Sequence, residues 1–342
     1  MFLMIIFYLI ILLFSIFHLY KNKPVKKTLH IHKDIKIPKP EINRYSNKTI
    51  FISIASYRDD ECPNTVEEIF SKAKFPQNIY LGICQQNSEE DIDCYNDKYK
   101  DNIRIIRLSD EEAKGPTYAR YFCSTLYKNE DYFMQIDSHT KFVQDWDLKL
   151  MNILENIPDK KVVLSTYPND WNNINDDKDS IPLFCEMKYK DNILKSKAIL
   201  HKPDNKVKEI PFVSGGFFFT RGSFLKDVPY DPDLPHLFLG EEILFTVRLW
   251  THGYNFYAPP DRILFHYYER KDSPKYWEKK DYDIWQPLSF QKVRYILKLQ
   301  DKYHNKIPLE PSNLLGTERT LEDYYEFIGF NKDTKKIQKR FC

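Results

Sequence analysis

From Thr49 onward the chain alternates short apolar segments with amphipathic ones, and this alternation limits the fold more than any other feature. The apolar segments are rich in β-branched and aromatic residues, which is typical of buried strands. They cover residues 49–56, 79–84, 103–108, 132–137 and 162–167. The order predicts an α/β fold with a mostly parallel sheet and helices on both faces. Ligands bind such sheets at the carboxyl ends of the strands, so residues that follow a strand are the first candidates for function.

Helical periodicity appears between and after these strands. A helix is predicted to begin near Pro63, where Thr65 and Glu68 have the spacing of a capping box. Further helices are predicted over residues 117–128 and from Glu241 to His252. Two more strand-like segments cover residues 213–220 and 263–268.

The first 20 residues form an apolar run that Ser15 and His18 alone interrupt. A helix of that length spans about 30 Å, the thickness of a bilayer core. We therefore expect one retained transmembrane anchor over residues 1–20; a buried core helix is the alternative. Lysines follow the run and none precedes it, which favours a cytosolic body, although many membrane-anchored glycan enzymes have the opposite arrangement.

The remaining chain divides by composition. Lysines and prolines predict a stem or linker over residues 21–45. We interpret residues 46–330 as one catalytic domain and residues 331–342 as a basic, solvated tail.

Charge and cysteine content exclude several classes of protein. With 51 basic and 49 acidic residues, a net charge of +2 excludes nucleic-acid binding through a general basic field. The six cysteines contain no CxxC pair, which argues against a zinc ribbon. We interpret most of them as buried thiols, with one or two disulfides as the alternative. The glycosylation sequon Asn47-Lys48-Thr49 abuts an apolar run and is uninformative if buried.

The sharpest chemical feature is Asp137-Ser138-His139, which directly follows a predicted strand. Alternate residues at a strand end point the same way, so Asp137 and His139 can present a carboxylate and an imidazole to one divalent ion. Such a mixed oxygen and nitrogen site suits Mn²⁺ better than Mg²⁺. His266, in a late apolar segment, is the candidate third ligand. The alternatives are a strand-end turn capped by Asp137 and a core histidine at 266.

Three other segments converge on the same edge of the predicted sheet. The glycines of 214–216 permit close approach of a ligand to the backbone, or form a bulge. The acidic start of a helix at 240–242 offers acceptors for sugar hydroxyls, although acidic residues also favour helix N-termini. Arg58, within residues 56–59, and Arg120 are suited to bind a diphosphate or a nucleotide base; the alternative is that each forms an ordinary ion pair.

Five ordered blocks of the sequence resemble the hydroxyproline N-acetylglucosaminyltransferases, which modify a cytosolic ubiquitin-ligase subunit. The blocks are residues 53–86, 115–127, 132–147, 213–221 and 238–270. They are also similar, more faintly, to the mucin-type polypeptide N-acetylgalactosaminyltransferases. The resemblance implies a GT-A fold, UDP-GlcNAc as donor, Mn²⁺ (or Mg²⁺) as cofactor and retention of anomeric configuration.

The resemblance also implies roles for individual residues. It makes Asp137, His139 and His266 the metal ligands. The residues near the nucleotide, diphosphate and donor sugar would be Tyr57, Arg58, Arg120, Gly215, Gly216, Arg270, Glu241 and Glu242, with the two glutamates at the reacting sugar.

The expected activity is transfer of N-acetylglucosamine to a hydroxyl of hydroxyproline, serine or threonine in a protein, or of a glycan. The expected partners are the donor, the acceptor and, through the first helix, a membrane, with no nucleic acid. Alternatives are a transferase that builds a glycan from another UDP-sugar and an inactive UDP-sugar-binding membrane protein. A zinc hydrolase is less favoured because the HExxH spacing is absent.

Overall fold

Residues 35–174, 180–270, 273–304 and 306–342 are described by the computed structural model. Their strands are β1 (Ile35–Lys36), β2 (Ile50–Tyr57), β3 (Ile79–Asn87), β4 (Ile103–Ser109), β5 (Tyr132–Asp137), β6 (Thr140–Phe142), β7 (Val162–Ser165), β8 (Asn169–Asp170), β9 (Ile181–Lys190), β10 (Ile193–His201), β11 (Lys206–Glu209), β12 (Phe217–Arg221), β13 (Asn255–Ala258), β14 (Leu264–His266), β15 (Phe330–Asn331) and β16 (Lys336–Ile337). Their α-helices are α1 (Ile42–Tyr45), α2 (Cys62–Lys72), α3 (Pro116–Thr125), α4 (Trp146–Glu155), α5 (Phe224–Asp227), α6 (Glu241–Thr251), α7 (Tyr282–Ile296) and α8 (Leu321–Ile328).

The predicted anchor over residues 1–20 lies outside the described residues. Among the helices that are described, none combines the length and apolarity needed to cross a bilayer.

The main sheet has the order β1-β11-β13-β7-β12-β5-β2-β3-β4. Strands β5, β2, β3 and β4 are parallel neighbours, as are β7 and β13. Strand β12 runs antiparallel to both of its neighbours, and β11 antiparallel to β13 and β1. The prediction of a mixed α/β fold with a mostly parallel sheet is therefore confirmed.

Apolar side chains on alternating positions of the central strands enter two cores. On one face, Phe51 belongs to a core that also contains Trp250 of α6 and Phe327 of α8. On the other face, Ile52 belongs to a core that also contains Ile69 of α2 and Leu150 of α4. Burial on both faces explains why β2 reads as a continuous apolar run instead of an alternating one.

The predicted capping box near Pro63 is wrong. Helix α2 begins at Cys62, so Thr65 lies inside it instead of capping it. The Thr65 hydroxyl donates to the Ser138 carbonyl (2.8 Å), and the Glu68 carboxylate accepts from the Phe142 amide (3.3 Å). These bonds tie α2 to the loop that follows β5 and to strand β6, and local spacing cannot reveal such contacts between distant segments.

Both ends of the described chain are more structured than their composition indicates. Within the predicted linker, β1 pairs with β11 and Tyr45 of α1 is buried. Within the predicted solvated tail, β16 pairs with β15 and Cys342 forms a disulfide with Cys185. The partners of β1 and of Cys342 lie more than a hundred residues away along the chain, so no periodic signal in these short charged segments reveals them.

The interpretation of most cysteines as buried thiols is wrong, because four of the six form the two disulfides that were the alternative. Cys62 is bonded to Cys94 and Cys185 to Cys342, while Cys84 and Cys123 are buried thiols.

Candidate functional site

Strand topology brings four separate segments to one edge of the sheet. Because β2 and β5 are parallel neighbours, with Ala55 opposite Asp137, their carboxyl ends meet there. Strand β12 is antiparallel to β5, with Phe217 opposite Ile136, so the glycines that precede β12 lie beside Asp137. Strand β14 pairs with β6, which places His266 opposite Thr140 and next to the Asp-Ser-His segment.

Asp137, His139 and His266 form a cluster whose potential metal-binding atoms all lie within 4.8 Å of one another. His266 Nε2 lies 2.9 Å from His139 Nε2 and 3.1 Å from Asp137 Oδ2. Two imidazole nitrogens and a carboxylate oxygen directed at one point are a donor set that fits Mn²⁺ and related divalent ions. These three residues therefore satisfy the chemistry expected of the predicted metal site.

Asp59 is the functional residue that the sequence reasoning missed. Its carboxylate is 3% exposed and accepts hydrogen bonds from the His139 ring (Nδ1, 2.7 Å) and the Ser138 hydroxyl. Metal-ligating histidines commonly donate their other ring N–H to a carboxylate, which fixes the tautomer. The bond at Nδ1 leaves Nε2 of His139 facing the cluster. A signal was present, because Asp59 closely follows the first predicted strand.

The charge state of the cluster follows from burial and close contacts. Burial acts to raise the pKa of Asp137, but the hydrogen bond from His266 and the charge of Arg120 outweigh it and hold the pKa below its ordinary value. Burial lowers the pKa of His139, although Asp59 opposes this. Burial also acts to raise the pKa of Asp59, and the bond from His139 reverses the direction. An ionised carboxylate beside a neutral imidazole is the state that metal binding requires.

Arg120 lies at the centre of a second network. Its guanidinium donates to Asp137 Oδ1 (3.0 Å) and to the Gly215 carbonyl (2.9 Å), and it forms an ion pair with Glu241. The residue predicted to face a nucleotide is thus also the counter-ion of two carboxylates at the site. Arg120 lies in the first half of α3, and its guanidinium is in contact with the backbone of Gly215.

The glycines hold the site together by close approach. A Cβ atom at Gly216 would lie 2.9 Å from Asp137 Oδ2, closer than carbon and oxygen normally pack. The Gly215 amide donates to Glu242 (2.8 Å), which the Tyr167 hydroxyl also contacts (3.3 Å). Burial raises the pKa of Glu242, and the bond from Gly215 only partly offsets this.

A cavity of about 760 Å³ opens over these groups. This volume falls within the range of small-molecule sites. All the sequence-predicted site residues line it except Arg58. Arg270 lines the cavity and its guanidinium lies 3.3 Å from Asp59 Oδ1.

Arg58 does not join the other predicted residues. Its guanidinium is paired with Asp91 (2.8 Å) and lies 3.7 Å from Asp110. It therefore makes the ordinary ion pair that was the alternative interpretation of this residue, while its neighbour Tyr57 lines the cavity.

The mouth of the cavity carries exposed aromatic rings. Phe238 is 57% exposed and Trp277 is 43% exposed, and their ring centroids lie 5.6 Å apart. Tyr268, on another part of the lining, is also exposed. Solvent-exposed rings at the edge of the cavity offer flat surfaces for a ligand that extends out of it.

The sequence matches the family model described as Glycosyltransferase (GlcNAc) over residues 49–100 and 96–334. The matched ranges cover most of the chain and include every residue of the site described above. No curated protein sequence matches the chain significantly.

Two solved structures illustrate the likeness in fold. GalNAc-T7, solved with UDP, GalNAc and Mn²⁺, has a TM-score of 0.50 and 14% identity, with 66% of this chain and 45% of that chain covered. TarS (1–349) from S. aureus, in complex with UDP-GlcNAc, has a TM-score of 0.46 and 13% identity, with 73% and 65% covered. The chain thus spans less than half of GalNAc-T7 and less than two thirds of that TarS chain. The likeness to GalNAc-T7 supports a fold of GT-A type, as the sequence resemblance implied.

Proposed function

Since the chain belongs to the Glycosyltransferase (GlcNAc) family, we propose that it transfers N-acetylglucosamine from UDP-GlcNAc to a hydroxyl group, with retention of anomeric configuration. The observation that carries the proposal is the convergence of Asp137, His139 and His266 on one point beside a cavity of about 760 Å³. These three residues would hold Mn²⁺ or, less favourably, Mg²⁺. When bound, such an ion supplies Lewis-acid stabilisation of a departing diphosphate.

The residues around the cluster divide the remaining tasks. Asp59 orients His139, and Arg120 balances the charges of Asp137 and Glu241. Arg270 adds a second positive charge near the cluster, which suits a diphosphate.

The two glutamates at the start of α6 are the candidates for the sugar-facing groups. Glu242 is held by the Gly215 amide, so its position is fixed before a ligand binds. A prepositioned carboxylate accepts hydrogen bonds from sugar hydroxyls without reorganisation. In a retaining reaction without an enzyme nucleophile, the leaving phosphate accepts the proton of the attacking hydroxyl. Tyr57 lines the same cavity, and its ring is the candidate surface for stacking with the uracil base of UDP.

The acceptor side of the proposal rests on the exposed rings of Phe238 and Trp277. Aromatic faces stack against sugar rings and against proline rings, so this mouth suits either a glycan or a hydroxyproline-containing peptide. Specificity for hydroxyproline, and attachment to a membrane through residues 1–20, remain predictions from sequence.

The test measures UDP released by the purified full-length chain from a panel of UDP-sugars, with and without Mn²⁺. We expect Mn²⁺-dependent release from UDP-GlcNAc, loss of it in Asp137→Ala, and no change in Asp101→Ala, whose side chain is exposed and outside the cavity. Transfer to added acceptor hydroxyls, followed by mass spectrometry, separates transfer from hydrolysis. Full activity in Asp137→Ala would refute the site assignment. Metal-dependent UDP binding without release from any donor, in the presence of acceptors, would favour the inactive binder.

A further inference from the structure

We propose that the folded domain matures in an oxidising compartment, contrary to the cytosolic body that the flanking lysines favour, and that Asn47 carries an N-linked glycan. The inference does not depend on the transferase reaction, because it uses residues outside the candidate site. Two independent observations support it: the state of the six cysteines and the position of the sequon.

The cysteines have the arrangement of a protein that leaves the reducing cytosol. Both bonded pairs have a Cα–Cα distance of 5.1 Å, which is within the normal range for disulfides. One pair closes a sequence separation of 32 residues, and the other closes 157 and secures the last residue of the chain. The remaining thiols, Cys84 and Cys123, have no exposed surface. Structural disulfides of this kind persist in oxidising compartments and are rare in the cytosol.

The sequon is accessible, contrary to the concern raised by its apolar neighbours. Asn47 is exposed in the turn that follows α1, and its side chain makes no hydrogen bond to any described residue. It precedes the amino end of β2, whereas the cavity lies at the carboxyl end of this eight-residue strand. At about 3.3 Å per residue, the two ends of β2 are roughly 25 Å apart. A glycan on Asn47 would therefore leave the cavity open.

The structure also indicates when the modification would occur. The hydroxyl of Thr49, which completes the sequon, bonds to the carboxylate of Asp131 (3.0 Å), 82 residues later in the chain. Before Asp131 has been synthesised, Thr49 has no such partner and the sequon is free to be recognised. Transfer during synthesis fits this order of events.

The modification is a group transfer from a lipid-linked oligosaccharide diphosphate. The Asn47 amide nitrogen bonds to the anomeric carbon of the oligosaccharide, and the bond between that carbon and the phosphate oxygen breaks. The lipid diphosphate leaves and takes up the proton lost by the amide, so atoms and charges balance. The enzyme that catalyses this step is the oligosaccharyltransferase of the cell that makes the protein.

The test expresses the full-length chain in cells that carry out N-glycosylation and follows its gel mobility before and after treatment with an N-glycanase. We expect one glycan on the wild type and on Asn43→Gln, an exposed neighbour outside the sequon, and none on Asn47→Gln. A second variant distinguishes the compartment of the domain from the modification of Asn47 itself: Asp333→Thr creates a sequon at the exposed Asn331. It should add one further glycan.

Mass spectrometry of non-reduced peptides should recover the 62–94 and 185–342 linkages. Modification of Asn331 but not Asn47 would overturn the assignment of Asn47. An unmodified Asp333→Thr variant in which all four bonded cysteines react as free thiols would overturn the compartment as well. Recovery of both disulfides with one glycan on Asn47 would support the whole proposal.

Discussion

The replacement of Asp59 by asparagine tests the assembly of the site most directly. The substitution keeps the shape of a side chain that is 3% exposed but removes the charge that faces the His139 ring at 2.7 Å. Loss of a carboxylate partner of this kind typically weakens metal binding 10- to 100-fold. At about 1.4 kcal/mol per factor of ten, this corresponds to about 1.4–2.8 kcal/mol of binding free energy. We therefore expect Asp59→Asn to raise the Kd for Mn²⁺ by one to two orders of magnitude.

The measurement is calorimetric titration with Mn²⁺, accompanied by the Tm of the metal-free protein. Ser138→Ala is the matched control, because it removes one hydrogen bond to the same carboxylate and leaves the charge in place. Its Kd should rise less than that of Asp59→Asn, since the carboxylate that fixes the His139 ring keeps its charge. An Asp59→Asn protein with wild-type Mn²⁺ affinity would refute the positioning role, and a lowered Tm without weaker metal binding would make Asp59 a purely structural residue.

Three further changes test other parts of the structure. Gly216→Ala places a methyl group 2.9 Å from the Asp137 carboxylate, so metal-dependent UDP release should fall at least tenfold while the Tm changes little. Unchanged UDP release, or a loss of release that is accompanied by a large fall in Tm, would contradict this prediction. Lys292→Met leaves the buried carboxylate of Asp231 without its partner at 2.7 Å and should cost about 3–5 kcal/mol in urea unfolding; a loss below about 1 kcal/mol would show that the pair is dispensable. Because the pKa of Glu242 is raised by burial, the folded state binds its proton more tightly, and stability should fall as pH rises above the ordinary value of 4.5; Glu242→Gln should remove that part of the fall, and an identical pH profile would exclude the effect.

The arginines show how far sequence reasoning could go. Arg58 and Arg120 each occupy a predicted ligand-facing position and each had an ion pair as its alternative. Arg58 turns to Asp91, whereas Arg120 enters the cavity and contacts Asp137. The difference depends on which acidic side chains the folded loops bring near, and no local pattern encodes that.

The sequence by itself determined where the strands of the first half lie along the chain, because apolar runs bounded by turns are typical of strands buried on both faces of a sheet. It also determined which residue types could ligate a metal, because Asp137 and His139 share one strand end. The family resemblance already named His266 as the third ligand, and the tertiary structure brings it to Asp137 across 129 residues. Only the tertiary structure decided that Asp59 holds His139, a contact between residues 80 apart. Likewise, only the fold paired the cysteines and ordered the two ends of the described chain. Contacts of this range arise from the packing of whole elements, and the periodicity of a single segment carries no record of them.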